Sequence, residues 1–217
     1  MKKAHARKIF VFVAALIMAM TLFTPVNAGT STEGGTHVYE GSSSLNAELN
    51  SLPPFKFEKH KDGIGYGPCP VYTAPSVDAY RCANGKATCD TNSKMDDAGF
   101  VSGWLLVRYE TNNGGVRVGY IPPKYVKDFK SHMYPHFGYV PACADDTIYV
   151  TDNPMMHGTS FAVLNPGEDF HILSKYDYYK KTKGLEWWYI ECTVDGQLAY
   201  GFIEMDSSFH LGSSTGS

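Results

Sequence analysis

Charge is scarce in this chain of 217 residues, 19% against the ~25% usual in globular proteins, and the surplus is acidic, at −3 overall. The amino-terminal leader holds Lys2, Lys3, Arg7 and Lys8 and no acid, so the remainder is more acidic still. An acidic chain is not drawn electrostatically to nucleic acid or anionic lipid. No Cys-x-x-Cys pair occurs, which leaves zinc without its usual close ligand spacing. The Gly-x-Ser-x-Gly spacing from Gly212 to Gly216 falls in the polar tail and not on a strand-to-helix turn, so serine-hydrolase chemistry has no anchor. After the first apolar run there is no second one of membrane-spanning length. Glycine and tyrosine, by contrast, are plentiful. That mixture favours short strands and tight turns over a coiled coil or a disordered chain.

The apolar run is Ile9 to Phe23, preceded by the cationic Met1–Lys8 and followed by Thr24-Pro25 and the small-residue site Val26-Asn27-Ala28. Cation, apolar stretch and small-residue site are the three parts of a secretory signal, expected over residues 1–28. The competing reading, a membrane anchor, needs roughly 20 apolar residues. No cysteine follows the cleavage position for lipid attachment, and the polar end of the chain has no wall-sorting tail. The expected location is therefore outside the cell, free or held to the wall non-covalently.

All five cysteines follow the leader, in a compartment where disulfides persist. Cys82 and Cys89 flank the turn dipeptide Asn84-Gly85 and form the first candidate bridge; Cys143 and Cys192, both in the second half, form another. An odd count leaves one thiol free or paired with another molecule.

Residues 29–62 are rich in Gly, Ser, Thr and Glu and read as a flexible linker, with a turn of helix over Leu45 to Leu52 before Pro53-Pro54. Residues 208–217 read as a flexible tail. Between them the pattern is β. Trp104 to Tyr109 and Val116 to Ile121 flank an Asn/Gly-rich turn, which predicts a hairpin. Trp187 to Cys192 and Leu198 to Ile203 repeat the figure around Asp195-Gly196. An opening element recurs too, as Val71-Tyr72-Thr73-Ala74-Pro75 and Tyr149-Val150-Thr151-Asp152-Asn153-Pro154. Two units of about 65 residues with landmarks in one order indicate an internal duplication.

The order Val71-Tyr72-x-x-Pro75, Gly103-Trp104-Leu105-Leu106-Val107, Gly119-Tyr120-Ile121 resembles the bacterial SH3-like domain. The resemblance covers residues 64–128 and, more loosely, 139–206, where Glu186 replaces the glycine before Trp187 and a charged, tyrosine-rich stretch intervenes. It implies an all-β chain of two tandem small SH3-like β-barrels, at 63–130 and 137–207. It also implies a non-catalytic module, without cofactor or metal, that attaches to cell-wall peptidoglycan or another extracellular polymer or peptide. The alternative is a structural or assembly protein that engages a partner protein through its barrels or a free cysteine.

Catalysis finds little footing. Cys69 has His132, His136, His157 and His171 downstream, but it opens a strand in Gly67-Pro68-Cys69-Pro70 instead of a helix that would lower its pKa. Asp90-x-Asn92-x-Lys94 breaks off as a calcium loop at Lys94, Met95 and Val101, and Asp96-Asp97 reads as a solvated turn. Pro135 speaks against a helix that would bring His132 and His136 together, so that stretch reads as a linker. SH3-type grooves are aromatic-lined. The candidate ligand contacts are therefore Tyr72, Tyr80, Tyr109 and Tyr120 in the first unit and Tyr178, Tyr179 and Trp188 in the second. On a strand Trp187 and Tyr189 share one side and Trp188 takes the other. Trp188 then either meets a ligand or packs on neighbouring rings.

Overall fold

In the computed structural model the strands begin earlier than the composition suggests. The structure describes residues 36–59, 63–127, 131, 133–156, 158–177 and 186–214. The proposed leader, Tyr178 and Tyr179 lie outside these residues. Helix α1 (Ser43–Ser51) starts where the Ser42 hydroxyl accepts the Leu45 N–H at 3.3 Å, an N-cap that satisfies one of the helix's orphan donors. Strands β1 (Pro54–Phe55) and β2 (Glu58–Lys59) follow. Residues 36–59, expected as a flexible linker, are thus structured. Leu49, Leu52, Phe55 and Phe57 are buried while Val38 is exposed, and those four anchor a polar segment that has no periodic signal of its own.

Next come β3 (Pro68–Pro70), β4 (Thr88–Asp90), β5 (Asp96–Val101), β6 (Trp104–Glu110) and β7 (Val116–Ile121). The second half holds β8 (Val140–Ala144), β9 (Ile148–Val150), β10 (Ala162–Leu164), β11 (Asp169–Asp177), β12 (Glu186–Val194), β13 (Gln197–Glu204) and β14 (Phe209–Leu211). Both expected hairpins form, β6–β7 and β12–β13. The turn of the second places Asp195 and Gly196 at φ 50° and 76°, the left-handed geometry that makes Asp-Gly a hairpin signal.

The described residues are mostly β, with one nine-residue helix and shorter helical turns, but no closed barrel forms among them. One sheet runs β2-β5-β6-β7 and the other β13-β12-β11-β8-β14, with β1 parallel to β11; β3–β4 and β9–β10 are separate pairs. The two halves instead share a core. Leu106 and Tyr120 of the first half meet Tyr176, Trp187, Tyr189 and Phe202 of the second, with Phe55 and Phe57 between them. The described residues all belong to one compact unit, Ser31–Ser217. Pleat alternation explains this arrangement. Trp187 and Tyr189 point into the shared core while Trp188 and Ile190 point into a second core with Leu49, so β12 is apolar on both faces.

The halves share one local pattern. Each has a three-stranded antiparallel meander whose first strand is bulged, between Asp97 and Gly99 in β5 and between Ile172 and Ser174 in β11. In each, a residue after a valine bridges the aromatic residue after the last strand's glycine. Tyr72 pairs with Tyr120, and Thr151 with Phe202, through reciprocal backbone hydrogen bonds of 2.7–3.0 Å. Asp96 and Asp97, expected as a solvated turn, open β5. Asp96 pairs with Arg108, and buried Asp97 accepts the Ser131 hydroxyl at 2.5 Å. The tail is also partly structured, since β14 pairs with β8. Among the described residues no helix is long and apolar enough to cross a membrane.

Candidate functional site

The described aromatic candidates are mostly committed to packing. Tyr109, Tyr120 and Trp188 are buried. Trp188 donates its indole N–H to the Tyr39 hydroxyl at 3.2 Å and meets the His37 and Tyr39 rings edge-on, so its outward-pointing alternative is not realised. Tyr120 accepts a hydrogen bond from Tyr189 in the shared core. Tyr72 and Tyr80 are half-buried. The Tyr72 ring abuts Trp104 edge-on, with the Arg81 guanidinium 5.1 Å from its centroid. Tyr80 stacks on Phe161 at 5.6 Å, and its backbone N–H donates to Leu198 O at 2.8 Å. Tyr72 and Tyr120 meet as backbone partners, but the candidates do not converge on one groove.

The cysteines also depart from expectation. All five are free and buried, so neither Cys82–Cys89 nor Cys143–Cys192 is bridged. Cys82 begins a turn in which Ala83 and Asn84 both adopt left-handed φ near 55°. That turn leads its sulfur toward Asp152, and burial with the nearby carboxylate pushes the Cys82 thiol far up. Burial also pushes Cys192 up to about 12. Asp152 is itself buried, which raises its carboxyl although Arg117 Nη1 lies 3.3 Å away. Asp90 uses its carboxylate in an Asx turn, accepting the Asn92 N–H at 2.9 Å. Among the described residues no group of three or more His, Cys, Asp or Glu is placed to hold a metal ion.

A concave site lies away from these residues. A pocket of about 500 Å³ opens between β9, the 156–160 loop and the turn joining β13 to β14. Strand β9 contributes Tyr149, whose outward position in Ile148-Tyr149-Val150 leaves it 64% exposed while its neighbours are buried. Asp146, Glu204 and Asp206 bring three carboxyl groups, and Thr147, Ser160 and Ser207 bring hydroxyls. Met156 and Trp187 supply apolar wall. No Lys, Arg or His stands among its described lining residues. Such a site attracts amines and hydroxyl-rich chains and repels anions. Sequence reasoning passed over these residues. The signal was an acidic cluster at each end of the second unit, Asp145-Asp146 and Glu204-x-Asp206, with one tyrosine at an outward strand position.

No protein-family model matches the chain, and no match was found among curated proteins or solved structures.

Proposed function

We propose that this protein is an exported, non-catalytic binding protein, built from two divergent copies of an SH3-like unit, that holds a cell-wall glycan or its peptide stem in the acidic pocket beside Tyr149. One observation carries the reading: a concave site joins three carboxyl groups and several hydroxyls to an exposed aromatic ring. Sugar faces stack on such rings, and their hydroxyls and the amines of wall peptides pair with the polar rim. The duplicated meander with its bridging strand supports descent from one repeated unit. Burial of all five thiols gives no support to assembly through a surface cysteine.

Co-sedimentation with purified peptidoglycan at physiological salt tests the proposal. Retention of the protein is expected, and it falls several-fold in Tyr149→Ala and in Asp206→Asn. Absence of retention would remove this ligand class. Retention unchanged in both variants would move the site away from the pocket.

A further inference from the structure

Cys69 and Cys89 are direct antiparallel partners across β3 and β4, and their sulfurs lie 3.5 Å apart. We infer that Cys69 and Cys89 form a redox-active dithiol that closes to a disulfide, clamping the base of the loop between them. This goes beyond the binding proposal and does not depend on it.

Register supplies the geometry. Opposed residues on antiparallel strands have Cα atoms roughly 4.5–5.5 Å apart, inside the ~4.4–6.8 Å range of disulfides. Their side chains already share one face, so reaching the ~2.05 Å bond needs only side-chain rotation. Backbone hydrogen bonds hold that register on either side, from the Thr91 N–H to Gly67 O at 3.1 Å and from the Val71 N–H to Ala87 O at 3.0 Å. Access exists as well: Cys89 and Pro68 line a surface cleft of about 910 Å³.

The loop so closed does structural work at a distance. It carries Tyr80, which stacks on Phe161 and donates its N–H to Leu198 O. It also carries Asp78, whose carbonyl accepts the Gln197 side-chain N–H at 3.2 Å. Clamping its base therefore tethers one sheet's loop to the other sheet's hairpin.

The oxidant is an external disulfide, small-molecule or borne by a protein. The Cys69 thiol is held below its usual range chiefly by its contact with Cys89, while the Cys89 thiol is pushed up by the same contact. The Cys89 sulfur, the one of the pair that lines the cleft, attacks the external disulfide and expels one thiol, which takes its proton, leaving a mixed disulfide on Cys89. The Cys69 thiolate then attacks the Cys89 sulfur 3.5 Å away and expels the second thiol. Two protein thiols are oxidised, one external disulfide is reduced to two thiols, and the two protons end on the leaving sulfurs.

The test uses the full chain incubated with oxidised glutathione, alkylated in denaturant and digested without reductant. Cys69 and Cys89 are expected to escape alkylation and to appear in one linked peptide, with Cys82, Cys143 and Cys192 labelled. Label on Cys69 and Cys89, or linkage of Cys89 to any other cysteine, overturns the pairing. In Cys69→Ser, Cys89 is expected to take the label or to carry one glutathione; a link from Cys89 to another cysteine of the chain would reveal a different partner and overturn the pairing too. Tryptic cleavage after Arg81 is expected to slow several-fold in the oxidised wild type relative to the reduced form, and equal rates overturn the clamp.

Discussion

The Tyr189 hydroxyl donates to the Tyr120 oxygen at 3.3 Å, joining the two sheets through two rings that are both almost completely buried. In water each hydroxyl is fully hydrogen-bonded, so the pair contributes little beyond its neighbours while intact, but breaking one side strands the other. Tyr120→Phe and Tyr189→Phe are each expected to cost about 1 kcal/mol. The double variant, with no orphan left, is expected to cost less than the two singles together. Urea denaturation of the four proteins reads the coupling. Strict additivity would mean that the hydroxyls do not interact in solution.

Gly119 and Gly201 each precede the aromatic residue of an isolated bridge, and both are fixed by space. A β-carbon on Gly119 would lie 2.5 Å from Val71 Cγ1 and 2.8 Å from Tyr72 O; one on Gly201 would lie 2.5 Å from Val150 Cγ1 and 3.0 Å from the Phe161 ring. Alanine at either position is expected to destabilise by about 1–3 kcal/mol, the usual cost of overpacking. Val71→Ala should relieve only part of the Gly119→Ala cost, because the Tyr72 carbonyl remains in the way. Thermal melts of the single and paired variants check this, and a neutral Gly119→Ala would mean that the opening strand does not cross β7 so closely.

Both glycines were visible in the sequence as members of a repeated Gly-aromatic-Ile motif, and the hairpins they belong to were legible from their turns. Strand alternation also placed Trp187 and Tyr189 opposite Trp188. What the motifs did not disclose was that both faces of β12 would be covered. A strand buried on one side and another buried on both can look alike when the covering residues, Phe55 and Phe57, come from a segment of polar composition. Tyr109, Tyr120 and Trp188 were placed at a surface they do not reach, whereas Tyr72 and Tyr80 are half-buried. Cysteine pairing failed for a related reason: proximity in sequence favoured Cys82 with Cys89, whereas strand register opposes Cys69 to Cys89. The acidic pocket joins residues from distant strands, and no local spacing announces it.

High pH should unfold the protein cooperatively. Burial raises Tyr109, Tyr120, Tyr189 and Tyr200 above the ordinary phenol range and lifts Cys192 to about 12. For a group whose folded pKa is raised, the stabilisation is complete below the unfolded pKa and vanishes as pH climbs through the folded one. Stability is therefore expected to hold up to roughly pH 8.5, where unfolded thiols begin to ionise, and to fall steadily toward pH 12. Tyrosinate absorbance should rise together with loss of the circular dichroism signal. Smooth titration of all tyrosines near pH 10 with the fold intact would contradict their burial.

Arg117 and Asp152 make an ion pair between the halves that is unequal in exposure, since Asp152 is 9% exposed and the Arg117 side chain 34%. That asymmetry fixes which partner can be removed cheaply. Arg117→Met leaves a carboxylate in a low-dielectric site next to the Cys82 thiol with its cation gone, and a cost of about 1–3 kcal/mol at neutral pH is expected. Asp152→Asn leaves a half-exposed guanidinium that water can solvate, and its amide retains the volume of the acid. The Asp152 backbone carbonyl continues to accept the Val118 N–H at 2.8 Å, so the smaller loss is expected there. Burial has already raised Asp152 above its ordinary value, so its uncharged form is the one the fold favours, and that contribution is lost as pH rises through the folded pKa. Removing Arg117 raises it further. The penalty of Arg117→Met should therefore shrink as pH falls and the carboxyl protonates, nearly vanishing by about pH 3. Urea midpoints for both variants at neutral and acid pH decide the matter. A penalty for Arg117→Met that stays constant with pH would show that the arginine acts through its packed methylenes and not through its charge.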